Sequence, residues 1–261
     1  VLTRRSVEIQ DINGKTVTRK VKTIQIDSAR VDKAGHKHFM AKEIAEQPTV
    51  IGEAIRHYLA ADANTVALPD PGIDFTGVDR IVMVACGTAF FACMTAKYWF
   101  EQVARIPVEI DVASEFRYRE PPIGNRTLAL FVSQSGETAD TLAALRYCAG
   151  KAAQIVPVVN VPESSIPLES DIALPILAGT EIGVASTKAF TCQLTVLFLL
   201  ALKAAADRGE MTPDDVAKQL CDLRALPGIL NATLDREPAL AEAAHSLAKA
   251  RDILFLGRGL M

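Results

Sequence analysis

The sequence lacks several features that would assign it to a familiar class. Its 28 lysines and arginines are outnumbered by 31 aspartates and glutamates, giving a net charge of −3 without the basic excess typical of general nucleic-acid binding. No apolar run approaches the roughly 18 residues of a membrane span, and no signal peptide opens the chain. Hydrophobic residues make up 49% of the sequence, which excludes a disordered chain. We therefore expect a folded protein that binds neither nucleic acid nor membrane.

Metal-binding patterns of cysteine and histidine are also missing. The five cysteines are widely spaced without a Cys-x-x-Cys pair, and the four histidines form no zinc-binding pattern. We expect no metal site and no cofactor. The odd number of cysteines and their apolar neighbours predict buried thiols in a reducing, cytoplasmic compartment rather than disulfides.

Apolar runs alternate with helical patterns through the middle of the chain. The run at residues 81–85 is continuously apolar, as in a strand buried on both faces of a sheet. This alternation predicts an α/β fold, with a parallel sheet and helices on both sides. Predicted strands cover residues 81–85, 108–112, 128–132, 155–160 and 172–176, and predicted helices cover about 89–103, 137–149 and 185–208.

The two ends of the chain have different patterns. Residues 1–26 are predicted as strands around an Asn13-Gly14 turn. A helical pattern over residues 39–61 is expected to be broken into two pieces by Pro48, because proline lacks a helical donor. Further helices are predicted near 213–225 and 237–250, and the apolar run at 253–259 matches 81–87 and predicts another strand entering a glycine loop.

Two loops are candidates for ligand binding if the strand order is 2-1-3-4-5. Ligands of open parallel sheets bind where the winding direction reverses, here beyond the first and third strands, at residues 86–89 and 133–138. The second loop, Ser-Gln-Ser-Gly-Glu-Thr, places three hydroxyls and an amide directly before a helix. Such donors, with the free N–H groups of the helix start, suit a phosphomonoester. P-loop and dinucleotide-binding patterns are absent.

These residues also have a purely structural interpretation. Ser135 would then cap the following helix and Glu137 would offset the helix dipole. Cys86 is expected to be a small buried hydrophobe at a strand end rather than a nucleophile, because no histidine lies nearby to activate it.

A third loop, residues 179–188, leads into the long helix and brings Ser186 and Thr187 to the same edge of the sheet. Lys188 is either a cation of the sugar site or, as we favour, an inter-domain or helix-surface charge. The aromatic and basic run at residues 113–119 is expected to pack a domain interface rather than bind nucleic acid, because the chain is not basic.

Four motifs together resemble one family. They are Cys-Gly-Thr at residues 86–88, Ala-Ser-Glu-Phe-Arg-Tyr-Arg at 113–119, Ser-Gln-Ser-Gly-Glu-Thr-Ala-Asp-Thr at 133–141 and the segment 178–190. Essentially the whole chain is similar to the isomerase half of the glucosamine-6-phosphate synthases, also called glutamine–fructose-6-phosphate aminotransferases (isomerizing). The resemblance implies a flavodoxin-like five-stranded parallel sheet flanked by helices, the SIS (sugar isomerase) domain, with a short N-terminal β-hairpin remnant.

The resemblance also implies a ligand and its contacts. The family transfers ammonia from glutamine to fructose 6-phosphate and forms glucosamine 6-phosphate, so either sugar phosphate is an expected ligand, and a homodimer is the expected assembly. Ala89 stands where the family usually has a serine that reaches the sugar. The matching phosphate-binding residues are Ser133, Gln134, Ser135 and Thr138, and the matching sugar-binding residues are Thr88, Val184 and Ser186.

The same resemblance divides the chain and limits its chemistry. The family's glutaminase cysteine, proton-transfer glutamate, ring-opening histidine and C-terminal lysine have no counterpart here. We therefore assign no catalytic residue and expect this chain to bind a sugar phosphate without turning it over. The expected parts are residues 1–26, the tail of a glutaminase domain; 27–38, a linker; 39–212, a first SIS domain; 213–244, connecting helices; and 245–261, the start of a second SIS domain.

Two other functions remain compatible with a SIS pattern. A sugar-phosphate-sensing module of a transcriptional regulator would need a basic helix-turn-helix segment, whereas residues 1–26 are predicted as strands. An isomerase of another phosphosugar is disfavoured by the specific run at residues 113–119.

Overall fold

The computed structural model describes residues 2–4, 6–18 and 32–259, which belong to two compact units, Val1–Asp32 and Lys33–Met261. In its described residues, the larger unit contains one parallel sheet and eight helices. The strands are β1 Arg80–Ala85, β2 Val108–Val112, β3 Thr127–Ser133, β4 Gln154–Val159 and β5 Leu174–Pro175. The helices are α1 Phe39–Tyr58, α2 Gly87–Val103, α3 Ala113–Arg119, α4 Ala139–Cys148, α5 Ser165–Leu168, α6 Lys188–Asp207, α7 Pro213–Leu234 and α8 Glu237–Leu247.

The sheet has the strand order β2-β1-β3-β4-β5 with every neighbouring pair parallel. Residues alternate between its two faces: Ile81 and Met83 belong to the core cluster that includes residues of α1, α2, α6 and α7, whereas Val82 and Val84 belong to the cluster that includes residues of α3, α4 and α5. Both faces of β1 are therefore buried, which explains why its sequence is continuously apolar. The predicted fold class is confirmed, and the strand order is the one on which the choice of candidate loops depends.

Pro48 does not break the first helix, contrary to prediction. Helix α1 runs uninterrupted for 20 residues with Pro48 inside it. The carbonyl that Pro48 leaves without a backbone donor belongs to Ile44, and the side-chain amide of Gln47 donates to it at 3.0 Å. Buried contacts of Ile51 and Ile55 hold the helix against the core. A local side-chain bond thus replaces the missing backbone bond.

Helix α6 is the central helix of this unit, and it is apolar nearly all round, as predicted. By length and composition alone it is long and apolar enough to cross a membrane. However, 67% of its most apolar stretch is buried inside the fold, where it packs against α1 and α2. Burial in a protein core therefore accounts for this composition.

The run at residues 113–119 forms helix α3, whose Ala113 and Phe116 pack into the core of the larger unit; its expected role at a domain interface stays a prediction. Phe116 is fully buried against α4 and β1 residues. Arg119 pairs with Asp111 at 2.7 Å, and Arg117 pairs with Asp140 at 3.1 Å. Both arginines are thus held by acids of the same unit, which explains a basic run in an acidic protein.

The smaller unit contains the predicted turn. Gly14 has a positive φ of 78°, and an antiparallel bridge joins Gln10 to Thr16. The described residues 2–4 and 6–18 form isolated bridges rather than continuous strands. The strand prediction for residues 19–26 and part of the linker prediction lie outside the described residues.

The strand predicted at residues 253–259 is not formed. Ile253 through Leu256 are more than half exposed and lie in no strand ladder. A parallel strand needs a neighbour to bond its backbone groups, and the described part of the chain supplies none beside this segment. The assignment of residues 245–261 to a second SIS domain stays a prediction.

Candidate functional site

The sheet reverses its winding direction between β1 and β3. These two strands are neighbours, with Ala85 paired to Val132 at their carboxyl ends. Helix α2, which follows β1, packs on one face of the sheet, whereas α4, which follows β3, packs on the other. The two connections therefore diverge and leave a crevice at this edge, where open α/β sheets bind their ligands.

The β3 loop, residues 133–138, is folded by its own hydroxyls. The Ser133 Oγ accepts a hydrogen bond from the Gly136 amide at 3.1 Å and lies 3.3 Å from the Thr138 Oγ1. The Ser135 Oγ accepts from the Glu137 amide at 3.2 Å. These bonds turn the chain tightly between the end of β3 and the start of α4.

Ser135 does not cap α4, as the structural interpretation expected, and the carboxylate of Glu137, which that interpretation set against the helix dipole, is bonded to another segment. Helix α4 begins at Ala139, and its N-cap residue, Thr138, makes no side-chain bond to the helix. The Glu137 carboxylate instead accepts from the Ser165 amide at 2.8 Å. The start of α4 therefore keeps the N–H groups and the positive dipole end that favour an anion.

Gly136 is required at the centre of the β3 loop. Its φ of +67° is a left-handed conformation, which costs other residues energy. An added Cβ would lie 1.8 Å from the Ser164 Oγ, which is itself buried and bonded to the Val161 carbonyl. Conformation and space thus both demand glycine here.

The β5 loop, residues 179–187, supplies the opposite wall of the crevice. The Glu181 Oε1 accepts from the Thr187 amide at 3.3 Å, the Ala189 amide at 3.4 Å and the Ser186 Oγ at 3.3 Å. A carboxylate thus already occupies the start of α6, which makes this wall rich in acceptors. Val184 is fully exposed at the rim.

Helix α1 holds the β5 loop from behind. The buried Glu43 Oε1 accepts from the Ile182 amide at 2.6 Å and from the Gly183 amide at 2.8 Å. The Lys188 Nζ donates to the Glu46 carboxylate at 2.8 Å and to the Thr180 carbonyl at 2.6 Å. We call these two glutamates and Lys188 the α1 clamp.

The position of Lys188 in the clamp contradicts both expectations for this residue. Its side chain is only 4% exposed, and its ammonium is bonded to the carboxylate of Glu46 and to a backbone carbonyl. It is therefore not an inter-domain or surface charge, and it is not in the cavity lining described below. Burial with a partner is the state expected of a lysine inside a protein.

A polar cavity of about 310 Å³ lies between the two loops. All seven residues assigned to phosphate or sugar line it, together with several that sequence reasoning did not assign. The assigned residues are Ser133, Gln134, Ser135, Thr138, Thr88, Val184 and Ser186; the others are Cys86, Ala89, Val132, Glu181, Gly183 and Gln193.

Cys86 lines the cavity but gains no activating base from the fold, since no histidine is among the lining residues. Cys93, Cys148 and Cys192 are buried, and burial raises the pKa of Cys148 to about 11 and that of Cys192 to about 12. The prediction of buried thiols is wrong at Cys221, which is exposed, and Cys86 is half-buried rather than fully buried as expected.

A second cavity, of about 410 Å³, is apolar and lies between α2, α6 and α7. Its walls include Trp99, Phe198 and Leu223. The hydroxyls of Thr191 and Thr195 there already donate to carbonyls of their own helix, at 3.0 and 2.9 Å. Because no polar group converges on this space, the cavity at the sheet edge is the candidate site.

Known proteins are similar to this chain in both sequence and fold. The SIS domain family matches residues 74–203. The glutamine–fructose-6-phosphate aminotransferase (isomerizing) of Brucella abortus is 51% identical over 99% of this chain, and that of Zymomonas mobilis is 48% identical over the same share. This chain has a SIS domain and is similar over nearly its whole length to part of these glutamine–fructose-6-phosphate aminotransferases. It spans 43% of the length of these relatives.

Two solved structures share the fold of this chain. The C-terminal domain of glucosamine-fructose-6-phosphate aminotransferase from Francisella tularensis is 39% identical, with a TM-score of 0.84 over 88% of this chain and 64% of that one. A putative phosphosugar isomerase from Silicibacter pomeroyi, at 24% identity and a TM-score of 0.58, covers 74% of this chain and 56% of its own. The second likeness concerns the fold alone.

Proposed function

We propose that this chain is the sugar-phosphate-binding part of a glutamine–fructose-6-phosphate aminotransferase (isomerizing), which makes glucosamine 6-phosphate from fructose 6-phosphate and glutamine. Either sugar phosphate would occupy the cavity between the β3 and β5 loops. The observation that carries this proposal is the meeting of all seven candidate residues in one cavity at the winding reversal of the sheet.

The phosphate belongs at the β3 loop. Hydroxyl groups of Ser133, Ser135 and Thr138 and the amide of Gln134 can donate to its oxygens, and the uncapped start of α4 faces the same edge. A helix start favours an anion by about 0.3–1 kcal/mol, and by up to about 2 kcal/mol when partly buried. The Glu181 carboxylate on the opposite wall would repel a dianion, so charge alone orients the ester toward β3.

The sugar then extends toward the β5 loop, where Thr88, Val184 and Ser186 would line it. Sugar hydroxyls both donate and accept hydrogen bonds, so they suit a wall that carries hydroxyls beside the Glu181 carboxylate. A phosphate group, which mainly accepts, fits this wall less well. The two walls thus match the two ends of a hexose phosphate.

We propose binding without turnover for this chain alone. Moving a proton next to a carbonyl needs a base within hydrogen-bonding reach. In the described part of the chain, Glu181 is the one carboxylate that lines the cavity, and its Oε1 is already bonded to the start of α6. An assay for fructose 6-phosphate isomerisation or for glucosamine 6-phosphate formation should therefore detect no product.

The proposal includes a homodimer. Phe91, Met94 and Tyr98 lie about one helical turn apart on α2, and each is more than 40% exposed. An apolar stripe of this kind suits a second copy of the chain. Sedimentation equilibrium should give twice the mass of the chain, and Phe91→Glu should shift it toward the monomer; a monomeric wild type would contradict this part of the proposal.

Binding is tested by titration calorimetry with fructose 6-phosphate. Thr138→Val keeps the side-chain shape and removes one phosphate donor, so the affinity should fall about tenfold or more. Thr138 is the better target than Ser133, whose hydroxyl also holds the buried Gly136 amide. The matched control is Thr95→Val on α2, whose hydroxyl bonds only the Phe91 carbonyl and lies outside the cavity lining.

Two results of these titrations would contradict the proposal. If Thr138→Val lowers the melting temperature while fructose 6-phosphate binds as before, the β3 loop is a structural cap. If the wild type shows no binding of either sugar phosphate, the cavity has another ligand.

A further inference from the structure

Gln193 is a buried polar residue whose amide oxygen has no hydrogen-bond partner among the described residues. It lies in the second turn of α6, is 1% exposed, and borders the candidate cavity. Its Oε1 atom is buried and accepts no hydrogen bond. Within the described residues, Glu43 and Thr141 also carry such an atom, but neither of them borders the cavity.

An unpartnered buried amide is unfavourable. Leaving a buried acceptor without a donor costs about 1–3 kcal/mol, and the large majority of buried side-chain polar atoms in native proteins are hydrogen-bonded. The neighbours of Gln193 along the buried side of α6 include Cys192, Val196 and Leu197, which are apolar. A methionine or leucine would fill the same space without this cost, so packing does not explain the glutamine.

The position of the amide indicates what would bind it. A carboxamide donates through its nitrogen and accepts through its oxygen, which is the pairing that a sugar hydroxyl offers in return. A phosphate dianion offers only acceptors and would leave the amide oxygen unsatisfied. Glu181 lines the cavity together with Gln193, so the side chains that α6 and the β5 loop contribute include two acceptors.

We propose that Gln193 is a specificity-determining residue whose carboxamide hydrogen-bonds a hydroxyl of the bound sugar. The inference rests on the proposed function, because it assumes that a hexose phosphate occupies the cavity. It adds a contact from the body of α6, deeper in the fold than the loops. Gln193 would distinguish a phosphorylated sugar from phosphate alone, whereas the β3 loop would bind both.

The test is Gln193→Met, which keeps the length of the side chain and removes the amide. Fructose 6-phosphate and inorganic phosphate are titrated separately into the wild type and the variant. We expect the dissociation constant for fructose 6-phosphate to rise about three- to tenfold, and that for inorganic phosphate to stay within twofold. The melting temperature of the free variant should stay the same or rise, because an unpartnered amide has been removed.

The matched control is Thr195→Val on the same helix. Thr195 is buried, but its hydroxyl donates to the Thr191 carbonyl and faces the apolar cavity. This variant should bind both probes like the wild type.

Each remaining outcome contradicts the inference. If Gln193→Met binds fructose 6-phosphate as tightly as the wild type does, Gln193 makes no contact, while the proposed function stands. If the variant loses both probes, or melts well below the wild type, the amide is structural. If the wild type itself binds no fructose 6-phosphate, the proposed function fails and this assignment fails with it.

Discussion

The two loops that enclose the cavity are held by different kinds of bond. The β3 loop is held mainly by neutral hydrogen bonds, such as that between the Ser133 hydroxyl and the Gly136 amide, and the Glu137 carboxylate adds a bond to the Ser165 amide 28 residues away. The β5 loop is held by the charged side chains of the α1 clamp, in which Glu43 is 139 residues away in sequence from Ile182, to which it is bonded. The first loop is therefore set mainly by local geometry, and the second by long-range electrostatics.

This difference predicts which kind of substitution damages each loop most. A change of backbone geometry should damage the β3 loop most, since little else can compensate for it. A change of charge should damage the β5 loop most, because a buried charge that loses its partner is strongly unfavourable.

The largest effect is expected at Gly136. Gly136→Ala forces a Cβ into a left-handed backbone and against the Ser164 hydroxyl, so the free energy of unfolding should fall by about 2–5 kcal/mol and sugar-phosphate binding should be lost. Chemical denaturation measures the first effect and calorimetry the second.

A control variant, Gly87→Ala, separates the cost of the left-handed backbone from the cost of the steric contact. Gly87→Ala has a similar φ of 59°, but nothing lies within 4 Å of the added Cβ, so its cost should be about 1–2 kcal/mol. Equal costs for the two variants would mean that Ser164 moves aside freely and that the β3 loop is not rigid.

The next effect concerns the α1 clamp. Lys188→Met leaves the Thr180 carbonyl without its buried donor and removes the closest cation from Glu46, which is 28% exposed. Because Glu46 reaches water and keeps Lys42, we expect a loss of about 1–3 kcal/mol rather than the larger cost of a fully buried pair. Sugar-phosphate affinity should also fall, because the β5 loop is released.

Lys97→Met is the matched control, since Lys97 pairs with Glu101 on the surface of α2 at 3.5 Å. A surface pair contributes about 0–1 kcal/mol, so the control should lose little. Comparable losses in the two variants would show that the clamp does not hold the β5 loop.

The same contrast explains what the sequence could predict. The loops after β1 and β3 follow short buried strands directly, so their residues meet once the strand order is known. The gathering of Thr88, Ser133 and Thr138 in one cavity needs no long-range information beyond that order. Their roles in binding stay predictions.

Interactions between distant segments were missed. The α1 clamp joins residues far apart in sequence, and Lys188 was consequently read as a surface or site charge. Gln193 gave a signal, since it is a polar residue in the apolar sequence of α6, but its direction depends on packing. Pro48 was misread for a local reason, because the bond from Gln47 to the Ile44 carbonyl was not anticipated.

A smaller effect is expected from acid. Burial alone would raise the pKa of Glu46, but its hydrogen bond with Lys188 and the charges of Lys188 and Lys42 outweigh burial and lower that pKa below its ordinary value of 4.5. A carboxyl with a lowered pKa stabilises the fold above its unfolded-state pKa and loses this contribution as the pH falls through the folded value. The clamp should therefore be intact at neutral pH and weaken below about pH 4.5.

Melting temperatures measured between pH 7 and pH 3 check this expectation. Wild-type stability should fall more steeply below about pH 4.5 than that of Glu46→Gln, which has no carboxyl to protonate there. Asp79→Asn serves as a control for an ion pair at the surface. The pKa of Asp79 is also lowered, by its hydrogen bond with Arg126, but this bond is exposed to solvent. Parallel curves for the wild type and Glu46→Gln would mean that Glu46 does not couple the clamp to pH.

The smallest effect is expected at Ala89, which lines the cavity from helix α2 rather than from the β3 or β5 loop. Ala89 lies in the first turn of α2, is 7% exposed and lines the cavity, at the position where the resemblance places a serine. Ala89→Ser should add one hydrogen bond to the sugar, worth about 0.5–1.5 kcal/mol, so the affinity for fructose 6-phosphate should rise about two- to tenfold. Inorganic phosphate should bind as before, because its contacts lie on the β3 loop. An equal gain for phosphate would place the ester beside α2 instead, and the division between a phosphate wall and a sugar wall would then be wrong.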